Sequence, residues 1–181
     1  MGNCGSIEAT SEYMQTLRKV CDDNGSLLII DEVKTGFRVA KGGVQELYDV
    51  RADLTTFAKA MGNGYAVAVF GGRADVMDKI NIEQDGVVHG GTYTANLIGI
   101  AAAKATLEII ANTDALKTIM ETGEKIKTVL GEVFDEAGQD YAFAGPSSMF
   151  GIHFSKTVPT DYRTWKPTNS ALYQTFAMNL I

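Results

Sequence analysis

Two short apolar runs, each ending in a charged group, constrain this chain more than anything else in it. The first is Leu27-Leu28-Ile29-Ile30, which stops at Asp31 and Glu32. Four apolar residues in a row predict a strand covered on both faces. The second, Leu54 to Ala58, is β-compatible and ends in Lys59, with Gly62 and Gly64 close behind. An acid and an amine therefore each sit where a buried strand is expected to give way to loop. In open α/β sheets, ligands bind beyond the carboxyl ends of the strands. Each group is costly if desolvated alone, and each becomes useful if a bound molecule satisfies it.

The 181 residues suffice for one domain with a sizeable core, and 45% hydrophobic with 21% charged residues is ordinary for a globular chain. A net charge of −6 argues against nucleic acid or an anionic membrane as the main partner, since both select a basic face. Cys4 and Cys21 are too few and too far apart for a zinc site. They point to a reducing, cytoplasmic setting with free thiols, with a disulfide left open. No segment is long and apolar enough to span a membrane. The opening MGNCGSIEAT has neither the basic nor the apolar region of a secretory signal. Met1-Gly2 with Ser6 has the myristoylation spacing, but nothing polybasic accompanies it.

Along the chain, Ser11 to Asp23 places Tyr13, Met14, Leu17, Val20 and Cys21 at helical spacing, with Thr10 or Ser11 as cap and Asn24-Gly25 as stop. Lys34 to Gly43 reads as loop and Val44 to Tyr48 as a turn or two of helix, with Gln45, Glu46 and Asp49 toward water. Val67 to Gly72 reads as a strand, Arg73 to Ile80 as a short helix, and Asn81 to Gly91 as polar loop. Ala95 to Asn112 is expected to be a long helix whose alanines and Gly99 mark a close-packed face. Leu116 to Ala137 is expected to be a second, charged on one side. Tyr141 to Phe143 and Met149 to Phe154 look like strands of a smaller unit. Trp165 to Ile181 starts as loop and becomes helical, with no evident stop.

The chemistry follows from where the polar residues fall. Lys59 is either a surface lysine or an amine held in a sheet's active-end crevice, where it can form a Schiff base with a carbonyl. Asp31 either caps a loop or is a fixed anion facing a pyridinium nitrogen. Pyridoxal phosphate (PLP) is a deeper electron sink when that nitrogen is protonated, and a carboxylate in contact raises its pKa by roughly 1–3 units. Val33 would share the face of Asp31 and press on a flat ring, while Glu32 would face the other way in a structural role. Gly90-Gly91-Thr92, just before the long helix, is either an ordinary cap or an anion site. His89 reads as a loop residue and His153 as a strand residue. Neither has a partner at metal-ligand spacing.

Taken together, LLIIDEVKTGFR, DLTTFAKAMGNGYAVAVFGGR and HGGTYTANLIGIAAAKATLEII resemble the class III (ω-type) aminotransferases, PLP enzymes of fold type I, and their aminomutase branch. The likeness covers essentially the whole chain. It implies an α/β fold: part of a large PLP-binding domain with a mostly parallel seven-stranded sheet over residues 1–113, then the start of an α+β C-terminal domain over 114–181. It implies that Lys59 bonds the cofactor and shuttles the proton between substrate Cα and cofactor C4′. Asp31 is then the pyridinium partner and Val33 the ring-packing residue. Gly91 and Thr92 would reach the phosphate of the cofactor in a neighbouring subunit, which implies a homodimer with shared sites and a small amino-acid or amino-aldehyde substrate. There are departures. Leu97 stands where relatives have proline after the Asn. The phosphate-cradling turn and the aromatic that stacks on the other ring face are missing. The chain is therefore expected to be a piece of such an enzyme, and a non-catalytic fragment or dimerisation piece stands as the alternative. A third reading is a different α/β binding domain in which Asp31 and Lys59 pair with each other.

Overall fold

A computed structural model describes residues 5–80 and 86–180. Cys4, the Met1-Gly2 start, Ile181 and part of the loop expected at 81–91 lie outside the described residues. The chain divides into two compact units, one of Thr10–Asp114 and the other of Ala115 onward together with the residues before Thr10.

In the first unit, helix α1 (Ser11–Asp23) begins at Thr10, whose side chain accepts from the Tyr13 N–H, and ends at Asn24. Gly25 follows with φ 62, the left-handed conformation that glycine adopts without steric cost. Then come β1 (Ile29–Asp31), α2 (Gly43–Tyr48), β2 (Leu54–Phe57), β3 (Val69–Gly72), the single turn α3 (Ala74–Met77) and the long α4 (Leu97–Asn112). The strands form one sheet in the order β1-β2-β3. β1 runs parallel to β2, with Ile29 opposite Leu54 and Asp31 opposite Thr56. β3 returns antiparallel, with Leu54 opposite Gly72 and Phe57 opposite Val69.

The expectation of a strand covered on both faces is not met within this chain. Leu28 and Ile30 are each 8% exposed, but Leu27 and Ile29 are 47% and 58% exposed. Only one face of β1 meets a packing partner, so the run alternates despite its apolar composition. Gln45 also departs from the expectation that it faces water. Its side chain donates to Thr55 Oγ1 at 3.1 Å and accepts from the Ala52 N–H at 2.8 Å, which locks α2 onto the strand layer.

Asp53, the residue before β2, ties this unit together. Its carboxylate accepts from the Leu28 N–H at 2.7 Å, from Arg18 of α1 at 2.8 Å and from Arg73 after β3 at 2.8 Å. Its backbone carbonyl accepts from the Arg73 N–H at 2.9 Å. A Cβ at Gly72 would collide with that same carbonyl, so only glycine lets β3 come this close. These donors hold the Asp53 carboxyl well below its ordinary value near 3.8, the Leu28 N–H contributing most, then Arg73 and Arg18.

In the second unit, the helix α5 (Ala115–Glu136) packs on the Ser147–Met149 turn that joins β4 (Ala142–Ala144) and β5 (Gly151–His153), which pair antiparallel with Ala142 opposite His153. The short α6 (Tyr162–Trp165) and α7 (Ser170–Met178) complete it. The core is aromatic. Phe134 of α5 is buried, with ring centroids 5.1 Å from Tyr141, 5.3 Å from Phe154 and 5.5 Å from Phe176. Truncating such a phenylalanine costs roughly 3–5 kcal/mol. Gly123 lets α5 approach the Ser147 carbonyl, which a Cβ would strike. The segment before Thr10 belongs to this unit rather than with residues 10–113. Ser6 Oγ donates to the Met149 carbonyl at 2.6 Å, and a His153 ring nitrogen lies 2.8 Å from the Gly5 carbonyl. The last helix does have caps, contrary to expectation: Asn169 accepts from the Leu172 N–H, and Asn179 closes the C-terminus through its own N–H.

Asp53 yields a signed prediction. Its folded pKa is depressed, so its stabilisation is complete above pH about 4 and is lost as the pH falls below that, through the acid range. Asp53→Asn should cost roughly 2–4 kcal/mol at pH 7, because buried donors lose their acceptor. It should also flatten the acid limb of the unfolding midpoint, read by urea titration between pH 7 and pH 3.

Candidate functional site

The parallel pairing of β1 and β2 brings two carboxyl ends side by side. Asp31 closes β1 opposite Thr56, and Lys59 follows two residues after β2 ends at Phe57. Asp31 is exposed, and its Oδ1 accepts from the Val33 N–H at 2.9 Å, a local turn that fixes the carboxylate at the strand end. Val33 is half-buried beside it. Pairing between Asp31 and Lys59 is not seen: no ion pair joins them among the described residues.

Lys59 opens a 3₁₀ turn, Lys59–Gly62, in the left-handed region with φ 46, and Asn63 closes that turn with φ 45. Non-glycine residues enter this region at a cost, and such positions cluster at functional sites. A Cβ at Gly62 would collide with Val67, so the turn folds tightly back on the chain. The lysine lines a concavity of about 480 Å³ with Arg38, Ala60 and the 63–67 segment.

Glu32, next to Asp31, points the opposite way and is 0% exposed. Its carboxylate accepts from Thr35 Oγ1 at 2.5 Å and from the Val44 and Gln45 N–H groups at 2.7 and 3.3 Å, at the start of α2. Burial is tolerated because every donor it needs is at hand. The structural role expected for Glu32 is the one observed: it anchors the 32–45 loop beside the strand ends. Within that loop Phe37 has φ 61, and its ring stacks at 5.3 Å on Phe57, the last residue of β2.

The Gly90-Gly91-Thr92 expectation changes in detail. The helix starts at Leu97, not near Ala95, and its cap is Asn96, whose side chain accepts from the Gly99 N–H at 3.1 Å. Gly91 and Thr92 stand upstream in an exposed turn closed by the Thr94 N–H on the Gly91 carbonyl at 3.0 Å. Leu97 occupies the first helical position without disturbing helix entry. Gly99 is the close-packed position of α4, since a Cβ there would lie 2.7 Å from the Ala66 carbonyl. His89 makes an edge contact with Phe70 at 4.8 Å. Cys21 is a free thiol. Among the described residues there is no cluster able to hold a metal, and no helix long and apolar enough to cross a membrane. Sequence reasoning missed Asp53 and Arg38. Both were visible only as ordinary polar residues flanking the strands.

An amine and a carboxylate thus follow the ends of adjacent parallel strands, the edge at which open α/β sheets bind ligands, and the amine also lines a concavity. The model of class III aminotransferases matches residues 1–172, and the chain belongs to that family of PLP-dependent enzymes of fold type I. It is 36% identical over 175 residues to the glutamate-1-semialdehyde 2,1-aminomutase of Herminiimonas arsenicoxydans, covering 97% of this chain and 41% of that protein. Among solved structures it is similar to a β-phenylalanine aminotransferase from Variovorax paradoxus, with TM-score 0.81, 29% identity and coverage of 94% of this chain and 40% of that one. It is likewise similar to the PLP internal aldimine form of the Sphingopyxis sp. MTA144 FumI protein, with TM-score 0.73, 31% identity and coverage of 81% and 34%. The chain thus spans about two-fifths of the length of the relatives it matches.

The Glu32 anchor is testable. Gly43 has φ 68, and a Cβ there would sit 2.5 Å from Glu32 Oε1. Gly43→Ala should cost at least about 1–2 kcal/mol from backbone strain alone. Gly25→Ala, with a φ of 62 but open space around it, should cost less; urea midpoints of the two variants give the comparison.

Proposed function

We propose that this chain carries the lysine and the acid of a PLP-dependent aminotransferase or aminomutase of the glutamate-1-semialdehyde 2,1-aminomutase type. The observation that supports it best is the placement of Asp31 and Lys59 at the carboxyl ends of neighbouring parallel strands, with Lys59 facing a concavity. The residues present fit the cofactor: an exposed amine without an ion pair among the described residues, and a carboxylate at the adjacent strand end. When bound, PLP supplies an electron sink for the charge that develops at a substrate Cα.

In this reading Lys59 Nζ would hold the cofactor through its aldehyde with loss of water and, once displaced by the substrate amine, would be the free amine able to carry a proton between the substrate Cα and the neighbouring cofactor carbon. Asp31 would be the carboxylate that favours a proton on the ring nitrogen. Val33 would be the apolar side chain that packs on the ring. Gly91 and Thr92 offer backbone N–H and hydroxyl donors to the phosphate of a second subunit's cofactor, which makes the working form a homodimer acting on a small amino acid or amino-aldehyde. The division near residue 113 into parts of a large domain and a small one, with the segment before Thr10 going with the small one, and a cytoplasmic setting, belong to the same proposal.

The alternative is that the 181-residue chain by itself supplies this half-site without turning over substrate. The exposed Leu97, Ile98 and Ile29 and the coverage of two-fifths of its relatives favour it for the isolated chain. One experiment separates the two. PLP is added, the product is reduced with borohydride, and peptides are mapped by mass. The pyridoxyl group is expected at Lys59 and absent in Lys59→Ala; an adduct undiminished in that variant overturns the assignment. Asp31→Asn should keep the adduct and lower turnover of an amino donor roughly 10- to 1000-fold, matching 1–3 units of lost pKa support. Adduct without turnover in the parent chain selects the alternative.

A further inference from the structure

Arg38 is the group near Lys59 to which none of the roles above applies. It is half-buried and lines the same concavity as Lys59. Its guanidinium has no hydrogen-bond or ion-pair partner among the described residues. Of the other arginines of this unit, Arg18 and Arg73 are both committed to Asp53 and Arg51 is exposed. Among the described residues no carboxylate lines the concavity, so its polar wall there is two cations, Asn63 and a tyrosine, in a chain whose net charge is −6. Fixed like charges without a counter-ion attract an anion.

The position of Arg38 is also well determined. Its N–H donates to the Thr35 carbonyl at 3.1 Å, and the next residue, Val39, is buried and bonds the same carbonyl at 3.2 Å. Thr35 in turn donates to the fully buried Glu32. The preceding Phe37 is left-handed, and its ring packs against Phe57. A long side chain on so fixed a backbone loses less entropy when it binds. A planar guanidinium presents a donor fork that matches the two oxygens of a carboxylate or phosphate.

We infer that Arg38 is the oxyanion-recognition residue of the Lys59 concavity, receiving either the carboxylate of a substrate or the phosphate of the cofactor. This rests on the Lys59 reading for its role in catalysis but not for binding itself. The test uses two probes, inorganic phosphate and glutarate, titrated into the full chain without cofactor. Binding is followed through the ¹⁵Nε resonance of Arg38, and Arg38→Gln and Arg38→Lys through amide resonances of residues 59–67. Arg38→Gln should weaken at least one probe about tenfold, as expected for loss of a charge-assisted pair. Arg38→Lys should recover only part of it, because the fork is lost. The probe that loses more affinity assigns the source of the anion. If both probes bind Arg38→Gln within twofold of the parent, or if the Arg38 resonance does not move, the inference is overturned. The pyridoxyl adduct at Lys59 is scored separately in the same variants. Probe binding that does not depend on Arg38, with an intact adduct, rejects Arg38 alone, and a missing adduct with Arg38-dependent binding rejects the Lys59 reading alone.

Discussion

The carboxylate of Asp53 is the interaction on which the N-terminal unit depends. It collects a backbone N–H from the entry of β1, a guanidinium from α1 and another from the end of β3. A three-stranded sheet with one bare face has little hydrophobic area with which to fix its register. Directional, charged hydrogen bonds at one end of the strands do so instead. Once that end is fixed, the lengths of β1 and β2 bring Asp31 and the residues leading to Lys59 to the opposite end of the sheet. Asp53 thus holds the register of strands whose far ends carry both groups.

The two neighbouring acids Asp31 and Glu32 show how alternation divides labour. Adjacent residues on a strand face opposite sides. Glu32 turns inward, where the start of α2 and Thr35 saturate it, and it becomes an internal brace. Asp31 turns outward, and its carboxylate accepts from the Val33 N–H in a turn. The brace carries the 32–45 loop, and that loop carries Phe37 and Arg38. A buried brace and an exposed strand-end carboxylate are in this way built on successive residues.

Much of the local structure was legible beforehand. α1 runs over the expected residues because its apolar spacing, its Thr10 cap and its Asn-Gly stop are all short-range signals. The long helices and the hairpin of the C-terminal unit follow from the same kind of signal, displaced by a residue or two at their ends. The start of α4 was misread because a cap side chain at Asn96 outweighs the helix preference of Ala95, which instead takes φ 58. The burial of β1 was misread because apolar composition reports what a strand can tolerate, not what covers it.

The sequence by itself determined the elements, the two strand-end charges and the family they belong to, because these rest on periodicity, caps and short motifs. Only the tertiary structure decided that β1 and β2 are adjacent and parallel, that Glu32 rather than Asp31 is buried, that Asp53 gathers two arginines, and that Arg38 shares a concavity with Lys59. Those facts depend on which distant segments meet. Contact between them is set by strand register and by the geometry of buried hydrogen bonds, neither of which any local stretch of residues encodes.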